Sequence, residues 1–336
     1  MERIGVAFSG GMSPTDVVEC VQLAEELGYE SAWMSEGHGG DQFSVLTACA
    51  VATNRILLGT GITSVFVRSA PTIAMAAACV DHFSHGRFIL GLGTSHKVQV
   101  EPEHGLVFSQ AVPRLRDYVR VVRDLLRQGE VSLQGSVFNI DYFDLTFQPH
   151  RREIPIYVAA VFPKMLETCG EIAQGALLTW CTLENARTAV HHVALGAERA
   201  GKDSKDVEIA TLLRCAIDID IDKDQARDSL RNNTAFYAAM FPRYRKLMAD
   251  AGFGEEMEAV RQAWQAGDRE KAMRLVPTGL LDKMTLLGSP EEYRQRLQEY
   301  REAGITQPII SPRVSGPDPK GQAMRVIRSC APLGFR

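Results

Sequence analysis

The chain has 336 residues, 45% of them hydrophobic, and carries 37 Lys and Arg against 41 Asp and Glu, a formal net charge of −4. That length suits one α/β barrel with insertions. The charge balance gives no electrostatic case for nucleic acid, and no apolar run is long enough to span a bilayer.

The amino terminus, MERIGVAFS, enters structure directly, without the charged region, apolar core and cleavage site of a secretory signal. Ile4 to Phe8 reads as a first short strand, ended by Ser9-Gly10-Gly11. Ser13 before Pro14 is an N-cap followed by proline at the first helical position. Val17, Val18, Val21, Ala24 and Leu27 then recur at helical spacing, and Gly28 stops the helix. Ser31 to Met34 is the second strand and leads into the polar loop Ser35 to Asp41, with Phe43 to Ala52 as the next helix. Ile56 to Leu58 is the third strand, running into Gly59, Gly61 and Thr63. Pro71 to Phe83 is alanine-rich and helical, and Phe88 to Leu92 is a fourth strand ending at Gly93. Glycines at the carboxyl ends of both strands mark where an α/β fold places its ligand, because glycine lets the backbone come close.

Residues 98–110 read as an irregular insertion, followed by an amphipathic helix from Arg114 to Leu126. Val131 to Phe147 alternates around Gly135 as a β-hairpin. Pro155 to Ala160, Gly175 to Trp180 and Val207 to Ile217 are the fifth to seventh strands. The helices Met165 to Ala173 and Ala186 to Ala200 lie between them. From Asp222 to about Lys283 the pattern is helical throughout, a long insertion. Ser289-Pro290 starts a helix that Gly304 ends, Thr306 to Ser311 is an eighth strand, and a last helix covers about 322–329. Eight strands alternating with helices predict a (β/α)8 TIM barrel, undivided by any linker over residues 1–336.

If the barrel forms, its strand ends bring together Glu36 and His38, the Gly59–Thr63 backbone, Thr94 to Lys97, and the Ala160–Lys164 loop. The last of these opens a helix whose free amides favour a phosphate, with an ordinary βα turn as the plainer alternative. Glu36 and His38 are candidates for general acid, general base or ring-contacting groups, or for a solvated loop. His96, directly after a strand, is the stronger functional histidine. His82 and His85 read as helix-end residues, and His191-His192 as structural. The seven cysteines contain no CxxC pair and sit mostly in apolar segments, as free thiols of a reducing cytoplasm do. Without HExxH, clustered Cys/His or an EF-hand pattern, no metal is expected.

LGTGI (Leu58 to Ile62), Arg68 and SHGRFILGLG (Ser84 to Gly93) closely resemble the bacterial-luciferase-like superfamily, which holds flavin-dependent monooxygenases and reductases using the deazaflavin coenzyme F-420. SAWMSEGHGGDQFSVLTACAVATNRILLGTGI is similar to its second and third βα units. PIYVAAVFPKMLETCGEIAQGAL is similar to its phosphate-loop segment. GITQPIISPRVSGPD resembles the methylenetetrahydromethanopterin reductases of its deazaflavin branch. The resemblance implies a barrel with the cofactor ring at its carboxyl rim, backed by a bulge in the third strand whose cis peptide would be Gly61–Ile62. Ile62 and Thr63 would touch the ring face, Glu36 and His38 its edge, and Val161, Phe162, Pro163, Lys164 and Met165 the phosphate. Gly59, Gly93, Thr94 and Ala160 would complete the cofactor site, and hydride transfer to a small substrate is the implied chemistry. Phe162 stands where the family has glycine, and Gly37 separates Glu36 from His38. Family acids near the ring would be replaced by Ala7 and His96, which disfavours methylenetetrahydromethanopterin as substrate and leaves proton delivery to His96 or Glu36. FMN is the alternative cofactor, on a monooxygenase or reductase, and a non-catalytic flavin-binding barrel is the second alternative. The family also implies a homodimer.

Overall fold

In the computed structural model, which describes residues 2–216, 223–314 and 316–334, eight parallel strands close into a ring. They are Gly5–Phe8, Ser31–Met34, Leu57–Thr60, Phe88–Gly93, Ile156–Ala159, Gly175–Thr179, Glu208–Ala216 and Gln307–Pro312, called the first to eighth here. Each pairs with the next, and the eighth returns to the first through Gly5↔Ile309 and Val6↔Ile310. This is the expected barrel, and its strands agree with the sequence reading to within one or two residues at most ends. The expected end of the seventh strand at Ile217 and start of the insertion at Asp222 lie outside the described residues.

The strands are short apolar runs because both of their faces are buried. Outward side chains pack on the helices in one continuous core, while Trp33, Ile89, Tyr157, Leu177 and Ile309 fill the ring. The Trp33 and Tyr157 rings meet at 5.6 Å between centroids. Below them the amino-terminal end is closed by polar pairs. Arg3 reaches Glu30 at 2.7 Å and Glu208 at 3.0 Å, and Tyr157 donates its hydroxyl proton to Glu208 at 2.5 Å.

Local chemistry sets the helix starts. Ser13 caps Pro14–Glu26 in a reciprocal capping box with Asp16, and Ser289 caps Pro290–Glu302 likewise with Glu292. The hairpin is Glu130–Gln134 against Asn139–Asp144, antiparallel. The insertion is helical as expected, from Lys223–Met240 to Thr278–Met284, and has its own core of Leu230, Met248, Met257, Val260 and Leu280 packed on Trp180.

Two expectations need correction. Residues 98–110 are not irregular throughout: Lys97–His104 is a helix, closed by Gly105 at φ +67°. Pro102 inside it hid the helix, since proline removes one ladder bond yet leaves the flanking turns intact. A ninth parallel strand, Thr285–Leu287, also went unread; it pairs with Arg214–Ala216 at the end of the seventh strand. Three residues between two helices carry too little pattern to show in sequence.

Candidate active site

The third strand is broken in register. Leu58 and Gly59 pair with Phe88 and Ile89, and pairing resumes with Thr63 and Ser64 opposite Leu92 and Gly93. Four steps along the third strand therefore face three along the fourth, which is a one-residue bulge. The Thr60 hydroxyl replaces the lost ladder: it donates to the Gly91 carbonyl and accepts the Gly91 N–H, both at 2.8 Å. The peptide at the bulge, Gly61–Ile62, is cis. The second strand pins it, with Met34 O accepting the Gly61 N–H at 2.8 Å and Ser35 Oγ donating to Gly61 O at 2.9 Å.

Glycine serves this geometry before it serves any ligand. A Cβ on Gly91 would lie 1.8 Å from Thr60 O, and one on Gly93 would lie 2.7 Å from Ile62. The space beside Gly59 is taken by the Trp33 ring. At Gly61, in contrast, a Cβ would meet nothing nearer than 3.6 Å, and Gly61 and Ile62 border a cavity of about 250 Å³. Thr63 is buried beside the bulge with its hydroxyl oxygen unpartnered.

Glu36 borders the cavity but is fully engaged: one carboxylate oxygen accepts the Ser64 N–H at 2.7 Å, the other the Arg68 Nε at 2.5 Å. The other arm of Arg68 reaches Asp41, and its carbonyl accepts the Tyr118 hydroxyl at 2.9 Å. Arg68 thus ties the second-strand loop to the bulge. His38 is not brought to the cavity. Its side chain is 83% exposed and meets Glu103 at 3.2 Å.

His96 does face the cavity, packed edge-on to Phe241 and Tyr244 at 4.9 and 4.6 Å. Burial, helped by the nearby Arg243 charge, pushes its pKa down to about 4, so at neutral pH it is an uncharged imidazole. Thr94 borders the cavity, as do Ala160, Val161, Phe162 and Met165. Pro163 faces a smaller neighbouring pocket and Lys164 is exposed. Pro163–Ile172 begins at Phe162 without any side-chain cap, so the first turn keeps its capacity for an anion.

The cavity also holds residues that the sequence reading did not single out. Arg214 on the seventh strand, Arg313 after the eighth and Arg243 from the insertion all border it, with Tyr237, Phe241 and Tyr244 as an aromatic wall. Tyr237 and Phe241 stack at 4.9 Å. Burial raises the Tyr244 hydroxyl pKa, so it keeps its proton. The sequence signal was present in FYAAMFPRYR, where aromatic and basic residues interleave from Phe236 to Arg245. No group of three His, Cys, Asp or Glu side chains able to hold a metal occurs among the described residues. The arrangement offers a partly closed chamber of mixed polar and apolar lining, with a pinned backbone bulge on one side and guanidinium groups on the other.

The model of the luciferase-like monooxygenase family matches residues 3–307, and the chain belongs to that family. It is 29% identical over 322 residues to the 5,10-methylenetetrahydromethanopterin reductase of Archaeoglobus fulgidus, covering 95% of each chain. The solved coenzyme F-420-dependent tetrahydromethanopterin reductase of Methanopyrus kandleri superposes with a TM-score of 0.85 at 26% identity, covering 97% of both chains. An F-420-dependent secondary alcohol dehydrogenase holding an F-420–acetone adduct shares the fold, with a TM-score of 0.79 at 21% identity over 98% of each chain.

Proposed function

We propose that this member of the luciferase-like family is a coenzyme F-420-dependent oxidoreductase that moves a hydride between the deazaflavin and a small organic substrate. The observation that carries the reading is the bulge at Gly61–Ile62, which borders the cavity at the carboxyl rim. It lies in a chain similar end to end to reductases named for that chemistry. The residues fit such a group. Gly61 leaves room for a planar ring against the backbone, Ile62 offers a face, and the uncapped turn from Phe162 to Met165 suits a phosphate. When bound, the deazaflavin supplies the hydride chemistry.

The chain's own residues align and shield. The Glu36–Arg68–Asp41 chain fixes the loop that would border the ring's edge. Tyr237, Phe241 and Tyr244 exclude water from the face where substrate would stack. His96 with its neutral N–H and Tyr244 with its retained hydroxyl proton are placed to orient substrate by hydrogen bonds, without a charged acid in the chamber. The reading extends to a single-domain homodimer in the cytoplasm, supported by the family resemblance and the free cysteines; sedimentation tests the assembly.

An equilibrium fluorescence titration with coenzyme F-420 and, separately, FMN tests the assignment. Tight binding of the deazaflavin and weak binding of FMN is the expected result. Tight binding of FMN alone would move the chain to flavin chemistry, and binding of neither would remove the cofactor site.

A further inference from the structure

The cavity is electrically lopsided. Its only carboxylate among the described residues, Glu36, is already spent on Arg68 and the Ser64 amide. Arg214, Arg243 and Arg313 form no ion pair with any carboxylate among the described residues. Arg214 is held by neutral groups: its Nε donates to Asn233 Oδ1 at 2.8 Å and an Nη to Thr179 Oγ1 at 3.3 Å. Its guanidinium plane lies 3.6 Å from the Trp180 ring centroid and 4.8 Å from that of Tyr237. This fixes the plane and leaves the charge unmatched. The Nε of Arg313 is buried with no partner at all.

Strand register puts the two together. Arg214 pairs with Ser311 and Cys215 with Pro312, and the next residue, Arg313, donates its backbone N–H to Cys215 O at 2.8 Å. The two arginines therefore stand at adjoining strand ends, each facing the same cavity; burial lowers the proton affinity of both, and the Arg313 charge adds a smaller push on Arg214. Like charges held side by side, one of them against aromatic rings and the other with a buried donor unfilled, are costly unless a ligand brings the opposite charge. They also lie away from the fifth-strand turn to which the cofactor phosphate was assigned, with the sixth strand between.

We propose that the substrate is a small organic acid: its carboxylate is held by Arg214 and Arg313, with Arg243 closing from the insertion, and its apolar body lies along Tyr237, Phe241 and Tyr244. A planar fork meeting a carboxylate gives both charge compensation and a fixed orientation. This identification of substrate class rests on the cavity being the hydride-transfer site; the anion site itself does not.

Calorimetric titration of the full chain, with and without saturating coenzyme F-420, tests it. The probes are benzoate, trans-cinnamate and crotonate, each beside its neutral amide. At least one acid should bind about tenfold or more tighter than its amide. Arg313→Met and Arg214→Met should each weaken that acid about tenfold to a hundredfold, with affinity for the amide and for F-420 nearly unchanged. If Arg214→Met does not fold, Arg313→Met decides alone. Equal binding of acids and amides, or no binding of any acid to protein that binds F-420, overturns the proposal. So does a loss of F-420 affinity in the arginine variants, which would assign these cations to the cofactor's own anionic groups. Acid preference that persists when F-420 fails to bind would keep the anion site and remove the cofactor assignment.

Discussion

Arg87 and Arg313 carry the same guanidinium at opposite ends of the barrel, and the fold treats them in opposite ways. Arg87, just ahead of the fourth strand, spends every nitrogen. Its Nε donates to Ser84 O, one Nη to Ile56 O and Thr53 Oγ1, and the other to Ala50 O and Thr53 O, all between 2.7 and 3.0 Å. It gathers the ends of two helices and the starts of two strands into a single knot. Arg313, just past the eighth strand, leaves a buried donor open. Arg87 with its donors saturated at the amino-terminal end holds shape, while Arg313 with a donor unfilled at the carboxyl rim is placed where such a barrel takes its ligand.

The sharpest way to break this division is to remove each arginine. Arg87→Met strands four carbonyls and should cost about 3–5 kcal/mol of stability. Arg313→Met strands none and should cost less than about 1 kcal/mol. Urea unfolding of both variants compares them, and equal losses would erase the distinction.

The next largest contrast lies within the bulge. Gly91→Ala drives a methyl into backbone at Thr60 O and should cost about 1–3 kcal/mol. At Gly93 the obstacle is mainly the Ile62 side chain, which can turn aside. Gly93→Ala should therefore stay nearly as stable while losing cofactor affinity, because the displaced Ile62 borders the cavity. Thermal melts paired with F-420 titrations would show the two effects separating.

A smaller effect follows from His96. Its pKa is pushed down to about 4 in the folded chain, against about 6.5 when unfolded. Between those values the unfolded state binds more protons, so stability should fall as pH drops from about 6.5 to about 4 and level off below. His96→Phe should flatten that stretch of the stability–pH curve; an unchanged curve would mean the imidazole is charged in the fold. The smallest expected effect is at the exposed His38: His38→Ala should change stability by under about 0.5 kcal/mol and leave turnover unaltered. A large loss of turnover would return His38 to the cavity.

What the sequence disclosed was whatever depends on near neighbours. Short apolar runs alternating with helical spacing revealed all eight ring strands, whereas the bulge was expected only from the family resemblance carried by LGTGI and LGLG, whose Gly91 and Gly93 pack against it. His38 shows the limit: lying four residues past a strand says nothing of which way a loop side chain turns. The arginine pair shows another. Arg214 and Arg313 are 99 positions apart, and only the pairing of Cys215 with Pro312 makes them neighbours. Glu36, read as a general acid, general base, ring-contacting group or solvated-loop residue, borders the cavity, and its link to Arg68, quoted only as a family mark, was not legible in sequence.

The three-residue strand Thr285–Leu287 has a consequence for how such a barrel diversifies. The described part of the seventh strand ends at Ala216, and the chain comes back from the insertion clipped alongside Arg214–Ala216, so the strand before the insertion and the strand after it are adjacent in space. Between them lies a helical cap with an apolar core of its own, which contributes Tyr237, Phe241, Arg243 and Tyr244 to the cavity. A segment with neighbouring ends, whose core meets the barrel mainly through Trp180, Ala216, Val161 and Phe162, can be exchanged as a cassette, its ends joined to the same two strands. One insertion site thus allows the ceiling of the chamber to be rebuilt for new substrates while the floor, bulge and strand register stay in place.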